Sequence, residues 1–275
     1  MKIPYDVINN NLFEKLSKIY YLSQKDAWDS QTVLADSLEK NNGINLSPEL
    51  TESIKNIFYV ILWGEYIAWE ISADLALKIK DVGPKMAATA QVFDEARHFR
   101  ILLDYLNKLG GERGNLHPAA ERLLSKVMNA NTLEKKLLGM QMMVEPVAIA
   151  IFQTVRKSNV EPVLSDLLNY IEIDESRHIA LGINYLPTLI KKMGFFKKYS
   201  LLFWQLKLLF LQVDELKALE PDLIKLGIDP IDLFHRVEKK QLSGMKELFL
   251  EIGMNEYLLE LLRKAVYFKK DKLFQ

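Results

Sequence analysis

The sequence of 275 residues contains no cysteine and only four histidines. Without cysteine, the chain cannot form disulfides or zinc–thiolate sites, hold an iron–sulfur cluster by itself, or use a thiol nucleophile. Any metal site must therefore be built mainly from carboxylates, with very few imidazoles. The four histidines are His98, His117, His178 and His235.

The chain also lacks a net charge and long apolar runs. Its 36 Lys and Arg residues balance 36 Asp and Glu residues, which argues against a nucleic-acid partner bound through bulk charge. The nearest approach to a membrane span, residues 201–213, is interrupted by Gln205, Lys207 and Gln212. The first residues lack the apolar core of a signal peptide. We therefore expect a cytoplasmic protein with no membrane span and no nucleic-acid partner.

Glycine and proline are scarce, and most of them stand between long segments with helical spacing of apolar residues. Ser47 before Pro48 is a typical helix start, and Asn131 with Glu134 resembles a capping box. Four long helices are predicted: Pro48 to Gly83, Pro84 to Gly110, Asn131 to Lys157, and Pro162 to Leu186 just before Pro187. Further helices are predicted at about 5–20, 24–40, 196–218, 231–241 and 254–269.

Because alternating strand patterns are nearly absent, the pattern predicts an all-α protein. We expect one helical domain over residues 1–275. Its core would be a four-helix bundle at about 48–187, with accessory helices in 1–47 and 195–275.

One motif occurs twice in the chain. Residues 93–106 read FDEARHFRILLDYL and residues 173–186 read IDESRHIALGINYL. Their offset, 174 − 94 = 80, also pairs Glu65 with Glu145. Since only two copies exist, the repeat indicates one helical hairpin used twice rather than a solenoid.

Each copy carries Glu-x-x-His, whose two side chains share one helix face and can bind one metal ion together. The preceding helix of each hairpin adds one glutamate, at the same distance from the turn as the histidine. Four carboxylates and two imidazoles of this kind form a two-metal site within a bundle, and their charge balances two divalent ions. The predicted ligands are Glu65, Glu95, His98, Glu145, Glu175 and His178.

The first-helix ligand has an alternative in Glu70, which also lies in an apolar stretch. Its counterpart in the repeat is Ala150, whereas Glu65 is matched by Glu145. The repeat therefore favours Glu65.

The DEARH and DESRH segments, with Glu65 and Glu145, resemble the ferritin-like di-iron carboxylate superfamily over about residues 48–187. The similarity is greatest to the branch of ribonucleotide reductase small subunits, bacterial multicomponent monooxygenases and acyl-carrier-protein desaturases. The resemblance implies the same six ligands. It also implies that Asp94 and Asp174 hydrogen-bond the histidines, with Arg97 and Arg177 neutralising them; exposed ion pairs on each helix are the alternative.

Several positions depart from the known subfamilies. Leu102 stands where a reductase small subunit has its radical tyrosine, and Ile149 where the monooxygenases have threonine. Ala68 and Met140 replace the crosslinked valine and tyrosine of ligand-binding oxidases. Ile171 replaces the third histidine of arylamine N-oxygenases. The resemblance therefore specifies the metal site rather than one reaction.

The resemblance implies an O₂-activating oxygenase or oxidase with two iron ions, or a manganese–iron pair. Its substrate would be a small, largely apolar organic molecule that is hydroxylated, N-oxygenated, desaturated or rearranged. The alternatives are a radical-generating subunit like that of ribonucleotide reductase, and iron storage or detoxification. Helical phase predicts a pocket lined by Ile61, Trp69, Met142, Ala148 and Ile149.

Partners follow from the same reasoning. Because the chain has no cysteine for an electron relay, electrons would come from an external reductase or ferredoxin, or from a co-substrate. We also expect a homodimer.

Two further expectations concern the surroundings of the ligands. Pro146 is expected to kink its helix by freeing the carbonyl of Met142. Gln91 and Gln141 are expected to lie in the pocket or at its edge.

Overall fold

The computed structural model describes residues 11–111, 116–252 and 256–274, in which all regular structure is helical. Eleven α-helices and one π-helical segment, Leu138–Val144, are present in these ranges. The α-helices are α1 (Asn11–Lys25), α2 (Ser30–Lys40), α3 (Pro48–Lys78), α4 (Val82–Lys108), α5 (Pro118–Met128), α6 (Leu133–Leu137), α7 (Glu145–Ser158), α8 (Pro162–Lys191), α9 (Phe195–Lys225), α10 (Pro230–Ile252) and α11 (Glu256–Leu273).

The predicted all-α bundle is confirmed. Helices α3 and α4 form one hairpin, the π segment with α7 and α8 forms the second, and the two hairpins meet where α4 contacts α8. Helices α1 and α2 pack against α4 and α8. Helix α9 packs against α3 and the π segment, and α10 against α7 and α8. The accessory helices thus enclose the bundle that holds the predicted ligands.

The helix starts follow local capping chemistry. The Ser47 side chain accepts a hydrogen bond from the Leu50 amide, and Pro48 takes the first helical position, as predicted. The third long helix is capped by Thr132 rather than Asn131, since the Thr132 hydroxyl accepts from the Lys135 amide. Helix α8 is capped by a buried glutamate, Glu161.

Two helices extend past prolines that the sequence analysis placed beyond their predicted ends. Helix α8 continues through Pro187 to Lys191, and α9 continues through Pro221. A helix proline removes one hydrogen bond, but the following turns bury Ile190 and Leu223 completely. The apolar burial outweighs the lost hydrogen bond. The predicted first helix begins before residue 11, outside the described residues.

The third bundle helix is not continuous. Between α6 and α7 the chain forms the π segment, in which the Glu145 amide bonds the Met140 carbonyl five residues back. The predicted kink before Pro146 thus takes the form of a π-helical stretch. Side chains of other helices bind the carbonyl of Met143 rather than that of Met142. The Met143 carbonyl accepts hydrogen bonds from the side-chain amides of Gln212 at 2.8 Å and Gln241 at 2.9 Å.

This same stretch, Leu133–Ser158, is the one described helical run with the length and apolar composition of a membrane span. It is a core element of the bundle, and most of its apolar window is buried by the other helices. Its composition is therefore explained by packing inside the protein.

Candidate metal centre

The two hairpins bring all six predicted ligands into one buried cluster. Glu65 comes from α3, Glu95 and His98 from α4, Glu145 from the start of α7, and the last two from α8. None of the six is more than 4% exposed. The rival residue Glu70 is exposed on the outer face of α3. The ligand role of the six side chains remains a prediction.

The cluster divides into two overlapping sets of donor atoms. In each set, one donor atom per residue lies within 4.8 Å of the others. Glu95 and Glu175 belong to both sets, and their oxygens lie 3.1 Å from Nδ1 of His178 and of His98, respectively. Two ions could therefore share these two carboxylates. The first set is Glu65, Glu95, His98 and Glu175, and the second is Glu95, Glu145, Glu175 and His178.

The far side of each imidazole contacts an aspartate from the other hairpin. Nε2 of His98 lies 3.0 Å from Asp174, and Nε2 of His178 lies 3.4 Å from Asp94. An aspartate at Nε2 favours the tautomer that donates from Nε2 and leaves Nδ1 free for a metal ion. The contact implied by the resemblance is therefore present, but it crosses between the hairpins.

Arg97 and Arg177 join the two aspartates. Nη2 of Arg97 donates to Asp94 and Asp174, both at 2.7 Å, and Nη2 of Arg177 donates to Asp174 and to Asp94 at 3.4 Å. The arginines are only 6% and 7% exposed, so the alternative of exposed ion pairs is wrong. Burial alone would raise the pKa of Asp174, but His98 and the two guanidinium groups hold it below its usual value.

Two further side chains of this network lie outside the repeat. Trp28, between α1 and α2, donates to Asp174 at 2.9 Å, stacks on the His98 ring at 6.2 Å, and lies 4.4 Å from the Arg97 guanidinium. Ser23 donates to Asp94 at 3.0 Å. Sequence reasoning missed both, because residues 1–47 contain no motif that links them to the hairpins.

Gln91 and Gln141 form a chain of amides to the ligands. Gln91 Nε2 donates to Glu95 at 2.9 Å and to Glu145 at 2.7 Å, and its own oxygen accepts from Gln141 at 3.1 Å. Both amides are buried. They therefore orient two of the predicted ligands rather than lying at the edge of a pocket.

The groups of the cluster shift one another's pKa values. Burial raises the pKa of Glu65 and of Glu145 well above the usual carboxyl value. Burial alone would lower the pKa values of His98 and His178, but the surrounding carboxylates raise both well above the usual imidazole value. Burial also opposes ionisation of Glu95, yet His178 lowers its pKa. A metal ion that bound here would have to displace protons.

The donor set fits a pair of hard divalent ions. Four buried atoms of the cluster have no hydrogen-bond partner: Oε2 of Glu65, of Glu95 and of Glu145, and Nδ1 of His98. Buried polar atoms without partners are costly, and these converge on common points. Carboxylate oxygens with a few imidazoles suit iron or manganese.

An apolar cavity of about 150 Å³ reaches the glutamates of the cluster. Of the five residues predicted to line it, Ile61 and Ala148 do so. Trp69, Met142 and Ile149 are not among the lining residues; Trp69 instead packs near Phe99. Met142 lies within the π segment and Ile149 follows it. The wider turns of a π-helix change which side chains of this region face the cavity. Ala68 and Met140 also line the cavity.

The remaining histidines are structural. His117 caps α5 by accepting the Ala119 amide at 3.2 Å, and His235 lies near Glu238 and Tyr267. Neither belongs to the metal cluster.

No family model and no curated protein matches the chain, but solved structures do. An R2-like ligand-binding oxidase mutant with an anaerobically reconstituted Mn/Fe cofactor is 18% identical, with a TM-score of 0.70 over 87% of this chain and 94% of that one. The oxidase with an aerobically reconstituted Mn/Fe cofactor is also 18% identical, with a TM-score of 0.70 over 87% and 93%. A protein with aldehyde deformylating oxidase activity from Synechococcus is 20% identical, with a TM-score of 0.62 over 78% and 97%. At these identities the likeness establishes the fold: the chain has the ferritin-like helical bundle that its repeat predicts.

Proposed function

We propose that this protein is an oxidase or oxygenase that uses two iron ions, or a manganese–iron pair, to activate O₂. The observation that carries the proposal is the pair of donor sets that share Glu95 and Glu175. Glu65 and His98 would complete one metal position, and Glu145 and His178 the other. The solved structures of similar fold include Mn/Fe oxidases, which supports the same chemistry.

The chain's own residues would position the metal pair and limit access to it. The bound ions would supply the redox chemistry of O₂ activation. Asp174 and Asp94 would accept hydrogen bonds from Nε2 of the histidines, which would leave Nδ1 of each ring for a metal ion. Gln91 fixes the orientation of Glu145. The aliphatic walls of the adjoining cavity would limit the access of water to the site.

The proposed substrate is a small, largely apolar organic molecule. The cavity that reaches Glu65 and Glu145 has mainly aliphatic walls, which favour apolar groups over charged ones. Hydroxylation, N-oxygenation, desaturation and oxidative rearrangement all remain within this proposal. The similarity to a protein with aldehyde deformylating oxidase activity is consistent with an organic substrate.

Electrons would reach the site from a separate reductase or ferredoxin, or from a co-substrate, because the chain has no cysteine for its own iron–sulfur relay. We further propose a cytoplasmic homodimer. Phe195, Phe196 and Phe203 at the start of α9 are exposed, and exposed aromatic groups of this kind are common at subunit interfaces.

The metal content of the purified protein tests the proposal. We expect about two ions per chain after iron or mixed manganese–iron loading, and O₂ uptake on reduction. Glu65→Ala and Glu145→Ala should each lower the metal content. Glu70→Ala is the matched control, because Glu70 lies on the same helix as Glu65 but is exposed.

Wild-type protein with fewer than about two ions, or metal content unchanged in both ligand variants, would refute the di-metal site. Bulk loading of iron beyond the site would indicate storage instead. Turnover only in the presence of a large reductase subunit would indicate a radical-generating role.

A further inference from the structure

Glu215 of α9 is a buried carboxyl group that the metal cluster does not use. It is 7% exposed, and neither of its carboxyl oxygens has a hydrogen-bond partner. It lines the same apolar cavity that reaches Glu65 and Glu145. Burial raises the pKa of Glu215 to about 7, and the charge of Arg122 only partly opposes this. A carboxyl group held in this way is costly unless something binds it.

The other carboxylates that line the cavity already have partners or a role. Four belong to the metal cluster. The fifth, Glu238, accepts from Arg263 at 2.7 Å and from Tyr267 at 2.6 Å. Among the described lining residues, Glu215 is therefore the carboxyl group available to a ligand.

The charge of the cavity determines which ligand fits. Arg263 is the only Lys or Arg among its described lining residues, and its guanidinium is bound to Glu238 and Tyr267. Among the side chains that line the cavity, an anionic ligand would therefore meet several carboxyl groups and no available cation, and only a bound metal ion could attract it. A protonated aliphatic amine has the opposite charge and three N–H donors. Because folding already removes the hydration of Glu215, binding would desolvate only the amine, and the protonated fraction of Glu215 would release its proton to the solvent as the charge pair forms.

The size of the cavity limits the rest of the ligand. A cavity of about 150 Å³ with aliphatic walls has the size that accommodates a single benzene ring. We propose that Glu215 binds the protonated amino group of a small apolar amine in this cavity, next to the metal cluster. The proposal rests on the proposed function for its role as a substrate site, and it names the substrate class: a compact hydrocarbon group bearing an aliphatic amine.

Binding of three ligands of similar size to the metal-loaded protein under anaerobic conditions tests this proposal. The ligands are benzylamine, benzyl alcohol and benzoate, titrated by calorimetry into wild-type protein and Glu215→Gln. We expect the wild type to bind benzylamine more tightly than it binds benzyl alcohol. Glu215→Gln should weaken benzylamine binding by about 10-fold to 100-fold, since it replaces a hydrogen-bonded charge pair. Benzyl alcohol binding should change little.

Two further variants make the test decisive. Glu215→Leu should lose the preference for benzylamine as Glu215→Gln does, so the result does not depend on one substitution folding well. Glu220→Gln is the matched control: it lies on the same helix, pairs with Lys217, and is absent from the cavity lining. It should leave all three affinities unchanged.

Equal affinities for benzylamine in the wild type, Glu215→Gln and Glu215→Leu would overturn the proposal, as would a preference for benzylamine over benzyl alcohol that survives both substitutions. Metal content measured on the same samples separates this outcome from failure of the proposed function. A wild-type chain with two ions whose amine binding does not depend on Glu215 contradicts only the amine site.

Discussion

The two hairpins of the bundle carry the same predicted ligands on different backbones. In the first hairpin, α3 is one continuous helix through Glu65. In the second, the corresponding helix changes to π-helical geometry and returns to α-helix at Glu145. A repeat of 80 positions therefore preserves the chemistry of the site while allowing the backbone of one copy to change.

What the hairpins share is reciprocal pairing. His98 of the first hairpin contacts Asp174 of the second, and His178 contacts Asp94 of the first. The same exchange recurs further along both helices, where Tyr105 donates to Glu161 and Tyr185 donates to Asp81. Each hairpin thus holds the side chains of the other, so ligand geometry depends on the docking of both.

What differs is the space beside the π segment. Leu102 in α4 corresponds to Gly182 in α8. A Cβ atom at Gly182 would lie 2.7 Å from Cβ of Gln141 and 3.0 Å from Sδ of Met142. The glycine therefore permits the π segment to approach α8 and brings Gln141 to Gln91. The hydrogen-bonded amides of Gln141 and Gln91 reach Glu145 but not Glu65, so the two proposed metal positions have different surroundings.

Breaking the reciprocal pairing should have the largest effect on stability. Asp174→Ala leaves the buried guanidinium groups of Arg97 and Arg177 with one aspartate instead of two, and removes the acceptor for Trp28 and His98. We expect a loss of about 3–5 kcal/mol in the free energy of unfolding, as for other buried ion pairs with one partner removed. Urea denaturation of the metal-free protein measures this.

Asp94→Ala tests whether the two halves of the network are equivalent. Its contacts to Arg177 and His178 are longer, both 3.4 Å, so the loss should be smaller than for Asp174→Ala. Equal stability of wild type and both variants would show that the network does not stabilise the docking of the hairpins.

Alanine substitutions at Leu102 and at Gly182 test the difference between the hairpins. Leu102→Ala removes a fully buried side chain and should cost about 2–5 kcal/mol. Gly182→Ala should cost about 1–2 kcal/mol, because displacement of the π segment outweighs the better helix propensity of alanine. Thermal or urea unfolding measures both, and a stabilised Gly182→Ala variant would contradict the close packing.

The clustering of the six predicted ligands could be foreseen from the sequence, because they lie in local motifs repeated at one offset. Glu95 with His98 is visible within one helix turn, and the offset identifies Glu65. The π segment could not be predicted, since residues 133–157 have the apolar spacing of an ordinary helix. Trp28 reaches Asp174 across 146 positions of sequence, and no local pattern encodes such a contact.

The reciprocal tyrosines offer a finer comparison. Tyr105 and Glu161 are both fully buried, whereas Asp81 at the other pair is half-buried. Tyr105→Phe should therefore cost about 1–3 kcal/mol, since it leaves a buried carboxyl oxygen with fewer donors, and Tyr185→Phe about 0.5–1.5 kcal/mol. Urea unfolding of the two variants measures the difference. A greater loss for Tyr185→Phe would contradict the burial argument.

The smallest predicted effect concerns how the accessory helices hold the π segment. Gln212 of α9 and Gln241 of α10 both donate to the Met143 carbonyl, which has no counterpart in the first hairpin because Trp63, 80 positions earlier, lies within a continuous helix. Either Gln212→Leu or Gln241→Leu should cost about 0.5–1.5 kcal/mol, because the other amide still satisfies the carbonyl. The double variant should cost more than the sum, since the buried carbonyl then loses both donors. Gln24→Leu, at an exposed site on α1, is the control and should leave the free energy of unfolding unchanged. Strict additivity of the double variant would show that the accessory helices do not hold the π segment through the Met143 carbonyl.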